Sequence, residues 1–165
     1  MMEHLYTPWR MSYLRGEKKP DVDCVFCDRA TTPDSDQANF VVARSQFVYV
    51  VLNIYPYNNG HVMVIPYQHI PTSEALSPEG LCDLMVMVNR AMAAIRVVYQ
   101  PQGFNLGANL GAAAGAGIAA HFHMHIVPRW AGDSSYMSVI GQTRVIPETL
   151  EDTWRKLREA WVTLS

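Results

Sequence analysis

Residues 121–128 read HFHMHIVP, an unbroken alternation of imidazole and hydrophobe across the first six positions. A helix would scatter these histidines around its surface, because its side chains repeat about every 3.6 residues. A strand puts His121, His123 and His125 on one face and Phe122, Met124 and Ile126 on the other. The pattern therefore specifies a half-buried strand over 121–128 with one face made of imidazoles. The chain has six histidines, and half of them fall within these five residues. Same-face neighbours on a strand lie roughly 6.6–6.8 Å apart. Several rings can then surround one small group without stacking on each other.

Three readings of this face compete. It could be a polar sheet edge facing water, although solvent faces more often use Lys, Glu, Thr or Ser. It could bind a metal, since His-x-His on a strand supplies two ligands. Or one imidazole could act as a nucleophile towards phosphorus, because histidine is largely neutral near pH 7. That third reading makes two demands. The attacking ring needs its other nitrogen held as a donor, and the phosphate oxygens need donors of their own. Residues 111–120, GAAAGAGIAA, can meet the second demand. Glycine lets successive backbone N–H groups turn inward as an anion nest. Arg129 adds a nearby charge.

The rest of the chain supplies a sheet and helices. Residues 40–44 and 47–52 read as strands, with Ser45-Gln46 as the turn. His61–Pro66 reads as a third strand, and the closeness of the three predicts an antiparallel meander. Ser77-Pro78-Glu79 is a helix start, a capping hydroxyl followed by proline and an acid. Leu81, Leu84, Met85, Val88, Met92, Ile95 and Tyr99 then recur at helical spacing, which predicts a core-facing stripe that Pro101 ends. Phe104–Asn109 reads as a strand, and about Glu148–Trp161 as a last helix with Leu150, Trp154, Leu157 and Trp161 on one stripe. The aromatic-rich stretch Leu5–Leu14 has no clean period and reads as an arm packed over the core.

Cys24 and Cys27 are spaced for one metal ion or one redox disulfide, on a short knuckle between polar loops. The redox reading wants a strand-to-helix junction in a βαβ unit, which the pattern lacks. Cys82 falls among the helix positions and is expected as an ordinary buried or partly buried thiol. At 165 residues, with 49% hydrophobic and 17% charged residues, the chain is neither disordered nor comfortably two domains. A net charge of -2 argues against a nucleic-acid partner. No apolar run reaches the roughly 18 residues of a membrane span, and the N-terminus lacks signal-peptide order, so a cytoplasmic location is expected.

The run HFHMHIVPR resembles the signature of the histidine-triad superfamily of nucleotide hydrolases and transferases. The resemblance extends to NIYPYNNGHVMVIP at Asn53–Pro66, similar to the family's ribose-side loop and its Gly-His pair, and to Asn109–Gly111 with Ala114-Gly115, similar to its phosphate-side loop. LYTPWRMSYL, VPRWAGD and RVIPE look most like the diadenosine tetraphosphate phosphorylase (ATP adenylyltransferase) branch. The resemblance implies an α+β fold: a five-stranded antiparallel sheet with two main helices, paired into a homodimer. It implies one domain over residues 1–165, with a motif-bearing core at 24–130 and a C-terminal turn and helix at 131–165.

For the site, the resemblance implies His123 as the nucleophile, with His125, His121 and His61 as catalytic neighbours. His125 and His61 would serve as donors and orienters around the phosphate. Asn53 would contact ribose, while Asn109, Gly115 and Gly117 would hold phosphates. At Gly117 many members carry glutamine or serine, so contact there must come from the backbone. Zinc-bearing relatives of this layout imply one structural zinc per chain on Cys24, Cys27, His69 and His121, with no organic cofactor. The implied reaction is cleavage of an adenine dinucleoside polyphosphate by nucleotidyl transfer to phosphate. Water is the alternative acceptor, with phosphoramidates as alternative substrates. A zinc-stabilised nucleotide-binding module without turnover is the alternative of another class.

Overall fold

Three β-branched runs close together in the chain have little choice but to pair with their neighbours. In the computed structural model, which describes residues 23–133 and 148–164, they do so. Strands β1 (Val41–Arg44), β2 (Val48–Leu52) and β3 (Val62–Pro66) form an antiparallel meander. Strand β5 (Met124–Arg129) pairs with β3, and β4 (Gly103–Gly107) pairs outside β5. The five-stranded sheet is antiparallel throughout, in the order β1-β2-β3-β5-β4. Three α-helices are described rather than the two main ones expected: α1 (Val25–Thr31), α2 (Pro78–Tyr99) and α3 (Leu150–Thr163). The extra one, α1, forms where the sequence pointed only to a knuckle, and Cys24 is its N-terminal flanking residue.

One face of the sheet packs on α2 and α3 through Val50, Leu52, Val64, Phe122 and Ile126. The other face carries a smaller cluster of Phe26, Val41, Tyr49, Val51, Met63 and Ile65, which seats α1. Helix α2 begins as its sequence dictates. The Ser77 hydroxyl accepts from the Gly80 N–H with Pro78 at the first helical position, and Gln100 ends the helix in a left-handed conformation before Pro101. Its stripe is the expected one at Leu84, Val88 and Ile95, with Met92 and Tyr99 packed partly buried on the same core, and departs from it at Leu81 and Met85. Leu84, Met87, Val88, Ala91, Ala94 and Ile95 are buried, while Leu81 and Met85 are exposed. The face turned to the core is a quarter-turn away from the Leu81–Met85 line, because small Ala91 and Ala94 let the helix lie close on the sheet. Cys82 is exposed, not buried.

The two sheet edges differ. Edge strand β1 is covered by α3, whose Trp154 and Arg158 donate to the Val41 and Val42 carbonyls at 2.8 and 2.7 Å. Edge strand β4 has exposed Asn105, Leu106 and Gly107. The histidine strand also starts later than expected. Its ladder begins at Met124, opposite Val64, so His121–His123 run ahead of it outside the ladder. Extending the register would set Phe122 against Pro66, which has no N–H to give the ladder. Instead the Phe122 N–H donates to the Ile70 carbonyl at 2.6 Å. The expected arm at Leu5–Leu14 and the tail at 144–147 lie outside the described residues.

Candidate active site and metal centre

Alternation brings His121, His123 and His125 to the sheet face that carries α1, and the antiparallel partner β3 adds His61. The rings of His123 and His125 lie 5.0 Å apart, and those of His61 and His125 lie 5.1 Å apart. Gly60 is what lets His61 enter. It has φ +76°, and a Cβ there would meet the Tyr99 ring at 2.9 Å.

The hydrogen-bond partners assign the tautomers. His123 Nδ1 donates to the His121 carbonyl at 2.8 Å, which leaves the lone pair on Nε2. Burial pushes the His123 ring below the ordinary histidine range despite that bond, so it is neutral at pH 7. At His61 the Tyr57 N–H donates to Nδ1 at 3.0 Å, so the hydrogen sits on Nε2. That Nε2 faces His125 Nδ1 at 3.0 Å and donates to it, which places the His125 hydrogen on its own Nε2. The chain of bonds thus leaves a lone pair on His123 Nε2 beside an N–H on His125 Nε2. His61 itself is 1% exposed and meets His125 through its Nε2 bond.

Two residues ahead of His123, the same kind of side chain serves a different set of partners. His121 is fully buried, and its Nε2 donates to the Pro66 carbonyl at 2.9 Å. Its Nδ1 therefore points the other way, 3.4 Å from Cys24 Sγ and 3.6 Å from Cys27 Sγ. His69 Nδ1 lies 3.1 Å from Cys27 Sγ. All four ligand atoms fall within 4.8 Å of one another. Metal–ligand bonds of about 2.0–2.3 Å at tetrahedral angles separate ligand atoms by roughly 3.3–3.8 Å. The three Cys–His pairs at 3.1–3.6 Å are near that spacing, and the four donors, within 4.8 Å of one another, could close on a tetrahedral ion with a small movement. The Pro66 bond fixes the His121 tautomer as an outer-shell partner does in metal sites.

Several residues that hold the site had no signal in the sequence. Phe26, between the cysteines, packs its ring 5.5 Å from that of His121 and 5.1 Å from that of His123, so one side chain touches both centres. Tyr49 donates to the Phe26 carbonyl at 2.8 Å. Arg44 donates to the Arg29 and Ala30 carbonyls at the end of α1 while pairing with Asp36. Tyr57 lies over His61, with ring centroids 4.9 Å apart. These roles depend on contacts across at least 15 positions of chain in most cases, and no local pattern carries them. A lone phenylalanine between two cysteines reads as nothing in particular until the strand it packs against is known.

Of the other expected site residues, Asn53 lies at the end of β2, where its Oδ1 accepts from the Tyr55 N–H at 2.9 Å. Asn109 reaches across the loop to the Gly115 carbonyl at 3.5 Å. Gly115 has φ +84°, which closes the 3-10 turn at Ala112–Ala114. Gly117 is exposed in the same loop, ahead of His121. Arg129, whose direction the sequence left open, pairs with Asp133 and Asn105.

Comparison with known proteins agrees with this geometry. The HIT domain model matches residues 34–132. The chain is 42% identical over 97% of its length to "AP-4-A phosphorylase" of Mycobacterium tuberculosis, covering 85% of that protein. It is 34% identical to a "Bis(5'-nucleosyl)-tetraphosphatase [asymmetrical]" of Schizosaccharomyces pombe over 58% of this chain and 52% of that one. Among solved structures, a zinc-bound histidine triad family protein from Mycobacterium smegmatis superposes with a TM-score of 0.68 at 29% identity, covering 86% of this chain and 95% of that one. A histidine strand, a Gly-His pair and a glycine-rich loop in one fold, together with these matches, make the chain a member of the HIT domain family.

Proposed function

We propose that the protein cleaves a dinucleoside polyphosphate, with diadenosine tetraphosphate as the expected substrate, by nucleotidyl transfer through His123 to inorganic phosphate. The observation that carries this reading is the 2.8 Å bond from His123 Nδ1 to the His121 carbonyl, which aims a neutral, buried Nε2 lone pair into the site. In the first step Nε2 bonds to the α-phosphorus, and the bond to the bridging oxygen breaks. The ring keeps its Nδ1–H and becomes cationic, and the carbonyl stabilises that charge. His125 Nε2–H donates to the oxygen on which negative charge develops, so nucleoside triphosphate departs as an anion. In the second step a phosphate oxygen attacks the same phosphorus and the N–P bond breaks. Neutral His123 is restored and nucleoside diphosphate is released. Asn53 would hold ribose, and Asn109 with the backbone at Gly115 and Gly117 would hold phosphate.

The tautomer chain favours phosphate as acceptor. Water must lose a proton as it attacks, yet His125 Nε2 already carries a hydrogen and serves as a donor, whereas an anionic phosphate oxygen needs no base. Likeness to the Mycobacterium tuberculosis relative points the same way. The likeness to the tetraphosphatase keeps hydrolysis as the second reading. Incubation with diadenosine tetraphosphate, with and without phosphate, separates them. ADP plus ATP formed only with phosphate is the expected result, and AMP plus ATP without phosphate would replace this reading with hydrolysis.

We further infer that Cys24, Cys27, His69 and His121 hold one zinc ion. Two thiolates and two imidazoles are a closed structural set for zinc, with no open position for substrate. When bound, the ion supplies a cross-link between α1 and the histidine strand, and no chemical step. A homodimer is supported by the β4 edge, which no other strand among the described residues pairs with, and by exposed Leu81, Met85, Val86 and Val97 on α2. No helix among the described residues is long and apolar enough to cross a membrane.

A further inference from the structure

A cavity of about 390 Å³ opens beside His125, lined among others by Asn105, Gly107, Asn109 and Arg129. It lies on the triad's side of the sheet, because Asn105 pairs with Val127 and Gly107 with His125. Gly107 presents no side chain there, and a Cβ added to it would meet nothing within 4 Å. The triad's own chemistry uses His125 but leaves Asn105 and Arg129 without a role. We propose that it is the subsite shared by the departing polyphosphate chain and the incoming inorganic phosphate, with Asn105 as the phosphate-binding side chain and Arg129 as its positioning residue. The inference rests on the nucleotidyl-transfer reading and deepens it.

The hydrogen bonds make the Asn105–Arg129 side of the cavity a donor surface, whereas Asn58 spends its amide hydrogens on the Pro128 carbonyl and Asp133. Arg129 Nη1 donates to Asn105 Oδ1 at 2.7 Å, which fixes the flip of that amide. Both N–H bonds of Asn105 Nδ2 then point away from Arg129, and the residue is exposed. The neighbouring carboxylate, Asp133, is saturated. It accepts from Arg129 Nε at 2.6 Å and Nη2 at 2.7 Å, from Asn58 Nδ2 at 3.0 Å and from the Trp130 N–H at 3.3 Å. Arg129 holds it well below the usual carboxylate range. With that neighbouring acid paired, this side of the cavity presents the Asn105 Nδ2–H groups and the remaining Arg129 N–H groups, beside His125. Such a set suits phosphate oxygens better than a base or a ribose.

The stereochemistry of substitution gives the cavity its two occupants. His123 Nε2 attacks phosphorus opposite the leaving oxygen. The second step reverses the first with a different oxygen, so the acceptor enters along the line by which the leaving group departed. The ring that donates to that oxygen is His125, which lines the cavity. One subsite therefore holds the first phosphate of the leaving chain, and after its departure holds inorganic phosphate.

The test uses three variants at exposed or half-exposed positions: Asn105→Ala, Asn105→Asp and Arg129→Gln. In a His123→Ala background, which cannot turn over, binding of AMP and of ATP is measured by calorimetry. In the otherwise native protein, KM for phosphate and kcat are measured with diadenosine tetraphosphate. The expected result for Asn105→Ala is AMP affinity within about twofold of the parent, ATP affinity about tenfold weaker, and KM for phosphate about tenfold higher. Asn105→Asp keeps the Arg129 partner but replaces two donors with a charge, and should be the worst of the three. Arg129→Gln should fall between no effect and Asn105→Ala. Loss of AMP affinity equal to the loss of ATP affinity would make the cluster a structural support and overturn the proposal. So would a change confined to only one of the ATP and phosphate arms. If the native protein forms no ADP from diadenosine tetraphosphate and phosphate, the nucleotidyl-transfer reading itself fails and takes the subsite with it.

Discussion

His121 and His123 are the same side chain, two residues apart on one sheet face, both buried, and they belong to different chemistries. The difference lies in their partners. His121 gives its Nε2 hydrogen to the Pro66 carbonyl and turns Nδ1 towards two thiols and His69. His123 gives its Nδ1 hydrogen to the His121 carbonyl and turns Nε2 towards the site. In each case a backbone carbonyl selects the tautomer and leaves the opposite nitrogen for another partner. The two clusters are also joined, because the carbonyl that holds the His123 ring belongs to His121, which faces the cysteines, and Phe26 packs against both rings. On the proposed function, an ion held there would stiffen the support of His123 without taking part in the reaction.

The strongest break in this comparison is His123→Ala. It should reduce kcat at least about a thousandfold while nucleotide binding persists, because the bond-forming atom is lost and the ribose and phosphate contacts remain. Retention of a tenth of native activity would contradict the assignment.

His121→Ala should affect both centres. The backbone carbonyl survives, so the rate should fall less than for His123→Ala. The zinc ligand does not survive, and stability should drop by roughly 2–4 kcal/mol, or about 4–16 °C in Tm for a domain of this size. Calorimetric melting with and without a chelator reads this out: the chelator should lower the native Tm and leave the variant unchanged.

A smaller effect is expected for His61→Asn. The donor to His125 Nδ1 is weakened or lost, which removes about one hydrogen bond of ordering, or about 1–1.5 kcal/mol and tenfold in kcat. An unchanged kcat would show that His125 is held by other contacts.

His69→Ala sharpens the comparison from the metal side. His69 is exposed and outside the triad, so zinc affinity and Tm should fall while kcat stays within about twofold. A rate loss as large as that of His121→Ala would mean that the ion shapes the reacting centre directly.

The sequence made some of this legible and hid the rest for physical reasons. Alternation at 121–126 displayed the imidazole face, and Ser77-Pro78 marked the start of α2 to the residue, because both are local patterns. The strand start at Met124 was hidden, since it depends on Pro66 standing across the sheet. Helix α1 was hidden because a seven-residue helix draws its stability from Phe26, Tyr49 and Arg44 rather than from its own spacing. The α2 stripe was misread at Leu81 and Met85 because alanines, which a count of large hydrophobes ignores, set which face lies nearest the sheet. At the site, residue types were legible and tautomers were not. Which nitrogen carries hydrogen on His61, His123 and His125 is decided by Tyr57, by the His121 carbonyl and by a strand partner 64 positions away.

The central claim is that His123 forms a covalent bond to the transferred nucleotide. Rapid mixing with diadenosine tetraphosphate in the absence of phosphate, followed by quenching under alkaline conditions and peptide mass spectrometry, tests it directly. The account predicts one adenylyl group on the peptide carrying His121–His125, located at His123, released as ADP when phosphate is added before the quench and absent in His123→Ala. Substrate turnover with no adduct at any quench time, or an adduct that persists in His123→Ala, would contradict it.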